Sequence, residues 1–262
     1  MNDIFSLKDK TIIVTGGSTH LGRTISESVA QYGASVIIGS RDVARNTEWA
    51  SHLSKKYGID AIGTGLDFTD EESVLGLLAL VLGKFNSIDV LINNAAFSMP
   101  GKIEEQTYDE FMEGLHGTIG GTYNISKFIL QQMQKQKHGN IINISSMYGV
   151  VSPNPDLYYG TKNAPNPANY GAGKAAIIQL TKYIACNYAK YNIRCNCIVP
   201  GAFPSPAVQQ DNKFIDNIRK KNPLNRIGVP EDLKGISVFL SSDASSYITG
   251  QSVHVDGGWT IW

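Results

Sequence analysis

Short runs of β-branched and aliphatic residues alternate along this chain with longer segments whose apolar positions recur at helical spacing. After the first run, Leu21, Ile25 and Val29 lie four residues apart, as in a helix that packs one apolar stripe on a sheet. Nearly continuous apolar runs are typical of strands that are buried on both faces of a parallel sheet. We predict seven strands, at Thr11–Thr15, Ser35–Gly39, Ala61–Leu66, Asp89–Asn93, Asn140–Ser145, Ile193–Val199 and Ser252–Val255.

This alternation also predicts the fold class and the number of domains. Strands that alternate with helices form α/β folds, here a doubly wound (Rossmann-type) parallel sheet with helices on both faces. No Pro-, Gly- or Ser-rich linker divides the chain and no internal repeat is visible, so residues 1–262 are predicted to form a single domain. The stretch Ser152–Asn169 holds four prolines and is predicted to be a loop that acts as a substrate lid.

Composition excludes several classes of partner. Lys and Arg together number 23, as do Asp and Glu, so the chain has no net charge with which to bind nucleic acid. The longest apolar run, Val74–Gly83, is about half of the roughly 20 residues that a membrane-spanning helix needs. The first ten residues lack the features of a signal peptide. We therefore expect no membrane association and a cytoplasmic location.

The three cysteines indicate neither a disulfide framework nor a metal site. Cys186, Cys195 and Cys197 are an odd number, and no second Cys or His cluster stands at zinc-ligand spacing. Cys195 and Cys197 alternate along a predicted strand and so share one face, where burial as small apolar residues is favoured over redox chemistry. No metal is expected.

A glycine-rich turn follows the first strand and opens a helix. Glycines in such a turn let backbone N–H groups and the positive end of the helix dipole approach a pyrophosphate. A strand-to-helix turn can also need glycine for purely structural reasons, so the turn alone does not decide. The residues expected to contact a cofactor here are Gly16, Ser18, His20, Leu21 and Gly22.

Further motifs follow in a consistent order along the chain. Asn93-Asn94-Ala95 ends the fourth strand, Ser146 follows the fifth, and Tyr170-Gly-Ala-Gly-Lys174 comes next. Pro200-Gly201 ends the sixth strand, and Val-Asp-Gly-Gly stands near the C-terminus. Across nearly its whole length the chain resembles the short-chain dehydrogenase/reductase family, with a weaker resemblance to its gluconate-dehydrogenase-like and sugar-modifying members.

This resemblance implies a catalytic set whose chemistry is physically reasonable. A tyrosine has an ordinary pKa near 10, so Tyr170 needs a neighbouring cation to exchange its proton near neutral pH. Lys174, one helical turn later, can supply that charge and, by resemblance, would bind the nicotinamide ribose. Ser146 would hydrogen-bond the substrate oxygen.

A second tyrosine–lysine pair has the same spacing. Tyr158 and Lys162 also stand four residues apart, but they fall in the Pro-rich loop, which cannot hold a helical pair in register. We therefore assign the catalytic role to Tyr170. Tyr158 remains a candidate for substrate contact, together with Ser146 and Phe203.

Two positions depart from the family pattern. His20 stands where a glycine is usual, so its ring either donates to the pyrophosphate or substrate or is simply solvated. The helix asparagine of the family's proton relay falls on Thr118, whose hydroxyl lacks the paired donor and acceptor groups of an amide. We include Thr118 in the catalytic set, with a relay that is rewired, involves nearby His116, or is weakened.

The end of the second strand indicates which cofactor binds. Ser40 occupies the position where an acidic residue would select NAD(H), and Arg41 can pair with a 2′-phosphate, so NADP(H) is favoured. Two alternatives stay open: Arg41 caps locally, or Asp42 binds the ribose and selects NAD(H). The remaining residues expected to contact the cofactor are Asp67, Phe68, Asn94, Ala95, Lys174, Pro200 and Gly201, with Asp67 alternatively serving as a helix cap.

We therefore expect an oxidoreductase that interconverts a secondary alcohol and a ketone on a small-molecule substrate. The polar side chains of the Pro-rich loop favour a sugar, polyol or sugar acid. The alternatives are a reductase of a hydrophobic ketone and a catalytically impaired, dinucleotide-binding regulatory protein. The family resemblance also implies a homotetramer.

Overall fold

The computed structural model describes residues 3–261. Its strands are β1 (Thr11–Thr15), β2 (Ser35–Ser40), β3 (Ala61–Gly65), β4 (Val90–Asn93), β5 (Gly139–Ile144), β6 (Ile193–Pro200) and β7 (Ser252–Val255). Its α-helices are α1 (His20–Gln31), α2 (Val43–Tyr57), α3 (Glu71–Lys84), α4 (Tyr108–Leu115), α5 (Gly121–Gln136), α6 (Ala168–Tyr188), α7 (Asn212–Lys221) and α8 (Lys234–Ser241). All seven predicted strands are confirmed, and their ends differ from the prediction by one residue at most.

The seven strands form one parallel sheet in the order β3-β2-β1-β4-β5-β6-β7. The chain moves outward in one direction from β1 to β3 and then resumes on the other side of β1 with β4. The strand order therefore reverses between β1 and β4, and in open α/β sheets ligands bind in the crevice outside the carboxyl ends of the strands at such a point.

The core lies on both faces of this sheet because successive side chains of a strand point to opposite faces. Ile12 packs with α1 and α2 on one face, and the next residue, Ile13, packs with α3 and α5 on the other. Both side chains are fully buried. This arrangement explains why the central strands β1, β2 and β4 are apolar on both faces rather than alternating between apolar and polar residues.

Local capping sets where several helices begin. Asp42 caps α2 by accepting from the Arg45 backbone N–H at 3.0 Å, and Asp70 caps α3 through Ser73 at 2.8 Å. Thr107 and Glu110 form a reciprocal capping box at the start of α4. A five-residue π-helix, His116–Gly120, joins α4 to α5.

The Pro-rich segment, residues 152–169, is packed against α7. Leu157 in this segment is 1% exposed, and its backbone carbonyl accepts from the Asn217 side chain at 2.9 Å. The Asp211 carboxylate accepts from the Lys162 backbone N–H at 2.7 Å and from the Asn163 side chain at 3.1 Å. The last two residues of the segment belong to α6. In this structure the segment is therefore held by buried and polar contacts.

Candidate active site

A cavity of about 670 Å³ opens at the carboxyl ends of the strands. It lies at the reversal of strand order, where the topology predicts a ligand site, and its size is within the ordinary range for ligand pockets. The lining comes from the segments that follow strands of the sheet and from α6. It consists of Gly16, Thr19–Gly22, Gly39–Asp42, Leu66, Phe68, Asn94–Phe97, Ile144–Ser146, Tyr170, Lys174, Pro200, Gly201 and Phe203.

The turn between β1 and α1 presents backbone groups to this cavity. Gly16 has a left-handed φ of +65°, and a Cβ on Gly22 would overlap the Gly16 carbonyl and the Asn94 side chain. Thr19 is the N-cap residue of α1 but makes no side-chain capping bond. The first backbone N–H groups of α1 therefore receive no hydrogen bond acceptor from the Thr19 side chain. Together with the exposed glycine backbone beside them, they can bind an anionic phosphate group.

Ser18, which we predicted to contact the cofactor, does not line the cavity. It is 2% exposed, and its hydroxyl donates to the Asn46 side-chain oxygen at 2.7 Å. Ser40 donates to the same oxygen at 2.8 Å. Ser18 therefore ties the turn to α2, while Thr19, which was not among the predicted cofactor contacts, lies in the cavity wall.

Asn94 and Ala95 form the part of the cavity wall that faces this turn. Both backbone N–H groups donate to the Thr15 hydroxyl, at 3.0 and 2.9 Å. The Asn94 side chain also donates to the Thr15 carbonyl at 2.9 Å. These bonds fix the end of β4 against the end of β1, so the wall is rigid where the two halves of the sheet meet.

One end of the cavity is aromatic and basic. The guanidinium carbon of Arg41 lies 5.8 Å from the centre of the Phe97 ring. Phe97 in turn packs edge-to-face on Phe68, with ring centres 6.4 Å apart. Phe97 belongs to no sequence motif. The two rings fit because of glycines, since a Cβ on Gly117 or Gly121 would overlap the Phe97 or Phe68 ring, respectively.

The two carboxylates near this end are already engaged by the protein. Asp42 lines the cavity, but it caps α2 and pairs with the Arg45 guanidinium at 3.1 Å. Asp67 is absent from the cavity lining and accepts from the Thr69 hydroxyl at 2.6 Å. That bond, with smaller effects of Arg41 and His116, lowers the pKa of Asp67 despite its partial burial.

The opposite end of the cavity brings together Ser146, Tyr170 and Lys174. Tyr170 and Lys174 lie one turn apart on α6, and the Lys174 Nζ is 5.7 Å from the centre of the Tyr170 ring. Nζ donates to the Ile144 carbonyl at 2.8 Å. Burial lowers the pKa of Lys174 to about 8, because a charged amine is disfavoured away from water.

The neighbouring hydroxyls organise this end. Burial raises the pKa of Tyr170, and a hydrogen bond with the Ser146 side chain partly offsets this by lowering the pKa. The Ser146 oxygen accepts from the Tyr148 backbone N–H at 3.1 Å. Ser145 donates to the Lys174 carbonyl at 2.7 Å and so fixes α6 to the end of β5. Ser145 was not among the predicted site residues.

Thr118 lies in the π-helix, outside the cavity lining. It is fully buried, and its hydroxyl donates to the Gly114 carbonyl at 3.0 Å. The side chain packs against Gly173, where a Cβ would overlap the hydroxyl. The hydroxyl thus makes a bond within its own helix, and the structure does not place it against Lys174.

The predicted substrate residues separate into two groups. Phe203 lines the cavity, as Ser146 does, whereas Tyr158 does not. Tyr158 is 9% exposed, packs on Phe214 with ring centres 5.1 Å apart, and has its hydroxyl 3.0 Å from that of Tyr148. No residue of the Pro-rich segment belongs to the lining, and Tyr158 and Lys162 do not share a helix.

Two of the three cysteines lie in surroundings that disfavour the reactive thiolate form. Burial raises the pKa of the Cys195 thiol, and it raises that of Cys197 to about 11. All three cysteines are free. Within residues 3–261, no group of three or more His, Cys, Asp or Glu side chains is placed to hold a metal ion. Over the same residues, no helix combines the length and apolar character needed to cross a membrane.

Known proteins match the chain over almost its full length. The family model described as enoyl-(acyl carrier protein) reductase matches residues 17–260. The 3-oxoacyl-(acyl-carrier-protein) reductase FabG of Chlamydia trachomatis is 34% identical, over 96% of this chain and 98% of that protein. Gluconate 5-dehydrogenase of Gluconobacter oxydans is 30% identical, over 99% and 98%.

A solved structure extends these matches to the fold. Gluconate 5-dehydrogenase of Burkholderia cenocepacia, crystallised with NADP and tartrate, superposes with a TM-score of 0.89 at 27% identity, covering 99% of this chain and 98% of that one. The chain belongs to the short-chain dehydrogenase/reductase family. It is an oxidoreductase of the class that acts on CH–OH groups.

Proposed function

We propose that this protein is an NADP(H)-dependent oxidoreductase that interconverts a secondary alcohol and a ketone on a polar, hydroxylated substrate. The observation that carries the proposal is that one cavity holds both the candidate catalytic residues and a basic side chain for the cofactor phosphate. Ser146, Tyr170 and Lys174 converge at one end, and Arg41 lies at the other. This convergence argues against a catalytically impaired regulatory protein.

The basic end supports NADP(H) over NAD(H). Arg41 is exposed to the cavity and can form a charge-assisted contact with a 2′-phosphate. Ser40 adds no negative charge, and the Asp42 carboxylate, the alternative ribose ligand, is occupied at the start of α2. The NADP-bound gluconate 5-dehydrogenase is consistent with this choice.

The catalytic residues would act on the substrate oxygen. In the reducing direction Tyr170 donates its phenolic proton to the carbonyl oxygen, and the Lys174 ammonium stabilises the phenolate that remains. The Ser146 hydroxyl donates a hydrogen bond to the same oxygen and stabilises its developing charge. Bound NADPH would supply the hydride that adds to the carbonyl carbon. The Lys174 bond to the Ile144 carbonyl holds the ammonium at this position.

A second cavity supports a polar substrate, and in particular a sugar acid. It measures about 380 Å³ and is lined by Val151, Ser152, Asn154, Lys221 and Trp259. Val151 and Ser152 follow Ser146 closely in the chain, and we propose that a substrate held at Ser146 extends toward this cavity. A lysine beside a hydroxyl and an amide suits a carboxylate and sugar hydroxyls.

The alternative is a reductase of a hydrophobic ketone, including the 3-oxo group of an acyl thioester. The identity to FabG favours it, as do the apolar side chains of Ile144, Pro200 and Phe203 in the cavity lining. A panel of sugar acids, neutral polyols and 3-oxoacyl thioesters, followed by nicotinamide absorbance, separates the two. Turnover of the thioesters with none of the sugar acids or polyols would refute the proposed substrate class.

The substitution Lys221→Gln tests the sugar-acid assignment directly. It should raise KM for a carboxylate-bearing substrate by roughly two- to fivefold, the effect of one exposed ion pair, and leave a neutral polyol unchanged. Lys220→Gln is the matched control, because Lys220 lies on the same turn of α7 but not in the cavity lining. Equal effects of the two substitutions would refute the assignment.

A further inference from the structure

His20 occupies a backbone conformation that residues with a Cβ adopt only uncommonly. Its φ is +41°, in the left-handed region that residues with a Cβ rarely adopt. Four residues earlier, Gly16 takes a φ of +65° without that penalty. An interaction of the histidine side chain can offset the backbone cost of this conformation.

The ring makes one such interaction. Its Nε2 lies 3.0 Å from the backbone carbonyl oxygen of Phe203, a residue 183 positions further along the chain. A carbonyl only accepts hydrogen bonds, so Nε2 carries the hydrogen in this arrangement. The neutral ring then has no second hydrogen to donate to a phosphate. A neutral ring that donates to Phe203 therefore cannot also donate to the pyrophosphate.

This bond joins two walls of the main cavity. His20 is the first residue of α1, directly after the glycine-rich turn, Phe203 belongs to the segment after β6, and both line the cavity. The Phe203 ring is itself held in place, because it occupies space left by Gly228, where a Cβ would overlap it. The cavity retains about 670 Å³ with the bond formed, so a ligand can lie in the cavity while the walls remain joined.

We propose that His20 is a positioning residue that ties the phosphate-binding turn to the Gly201–Ser205 segment across the cofactor groove. This inference rests on the proposed function, since the groove is assigned to NADP(H). With the bond present in both the free and the bound protein, it resists cofactor entry and release alike. It therefore slows exchange of the dinucleotide without changing its equilibrium affinity.

Three variants and NADPH as the probe test this proposal by stopped-flow fluorescence. His20→Gly removes the ring and relaxes the backbone, whereas His20→Asn keeps a residue that tolerates left-handed φ but shortens the side chain. Both should raise the association and dissociation rates of NADPH by about two- to tenfold, the effect of one net hydrogen bond. The dissociation constant should stay within about threefold. His20→Gln, whose amide has a reach similar to that of the ring, should restore slow exchange.

The possible results distinguish failure of this proposal from failure of the proposed function. If NADPH does not bind the unmodified protein while NADH does, the cofactor assignment is wrong. If NADPH binds but exchanges equally fast in all four proteins, the His20 side chain has no effect on exchange and the proposal is wrong. A dissociation constant weakened more than tenfold with an unchanged association rate would make His20 a phosphate ligand and overturn the tie. Circular dichroism of each variant checks that it is folded.

Discussion

At the scale of single residues, the choice between two tyrosines is decided by what surrounds each phenol. Tyr170 shares the cavity with Ser146 and Lys174, whereas the Tyr158 hydroxyl is paired with that of Tyr148 outside the lining. Both pairs satisfy the same four-residue spacing. Of the two, only Tyr170 lines the cavity, which is why we propose it as the proton donor.

Tyr170→Phe should therefore lower kcat by about 10²–10⁴-fold, the usual contribution of a positioned general acid. NADPH affinity should change little, because the phenol supplies a proton rather than binding surface. Steady-state kinetics and calorimetric titration measure the two effects. Tyr158→Phe is the control, and a larger loss of kcat there than at Tyr170 would contradict the assignment.

Arg41 offers a test of cofactor choice. Arg41→Ala should weaken NADPH binding by about 1.5–3 kcal/mol, as expected for a hydrogen bond to a charged group, and leave NADH nearly unchanged. Calorimetric titration of both cofactors measures this difference. Asp42→Asn keeps a residue that can cap α2, so it should affect neither cofactor strongly. Weaker NADH binding in Asp42→Asn would instead identify Asp42 as a ribose ligand.

The lowered pKa of Lys174 predicts a pH dependence. Because burial brings this pKa to about 8, the amine is charged at neutral pH and loses its proton as the pH rises through that value. The kcat/KM for ketone reduction should therefore fall on the alkaline side of pH about 8, since the phenolate of Tyr170 then loses its cation. Lys174→Arg should remove that fall within the measurable range. A profile that is flat to pH 9.5 in the unmodified enzyme would refute this role.

At the scale of elements, the Pro-rich segment shows why a loop can look mobile in sequence and still be docked. Leu157 is buried, the Asn163 side chain donates to Asp211 at the start of α7, and no residue of the segment lines the main cavity. A lid remains a prediction for this segment, but closure over the cavity would require these contacts to break.

Leu157→Ala should lower the free energy of unfolding by about 2–5 kcal/mol if the segment is docked in solution. Tyr159→Ala, on the same segment but with its side chain 84% exposed, should have little effect. Denaturant unfolding measures both. If Leu157→Ala costs no more stability than Tyr159→Ala, the segment is undocked in solution and the lid prediction gains support.

At the scale of the whole molecule, we propose a homotetramer, as the family resemblance implies. Apolar side chains on α4 and α5 remain open to solvent in the single chain: Tyr108 is 75% exposed, Met112 42% and Tyr123 57%. Burial of such side chains against another copy would be favourable.

Light scattering coupled to size-exclusion chromatography should therefore give the mass of four chains. Tyr123→Asp should shift the protein to a smaller species, because a buried, unpaired carboxylate is costly. Leu75→Asp is the matched control on α3, where Leu75 is 46% exposed. A monomer in the unmodified protein would refute the tetramer.

The sequence by itself determined the strands, their parallel arrangement and the catalytic Ser146, Tyr170 and Lys174 as a candidate set. These features are local or ordered along the chain: apolar runs mark strands, and a four-residue spacing on a helix places two side chains on one face. The turn at Gly16 and Gly22 was also readable, because close backbone approach requires glycine.

Only the tertiary structure decided which side chains reach the cavity. Ser18 and Thr19 are neighbours in sequence, yet Ser18 turns inward to Asn46 while Thr19 lines the wall. The bond from His20 to Phe203 joins residues 183 positions apart, and no local pattern encodes it. Side-chain direction and long-range partners depend on how elements pack, so they follow from the assembled fold rather than from spacing along the chain.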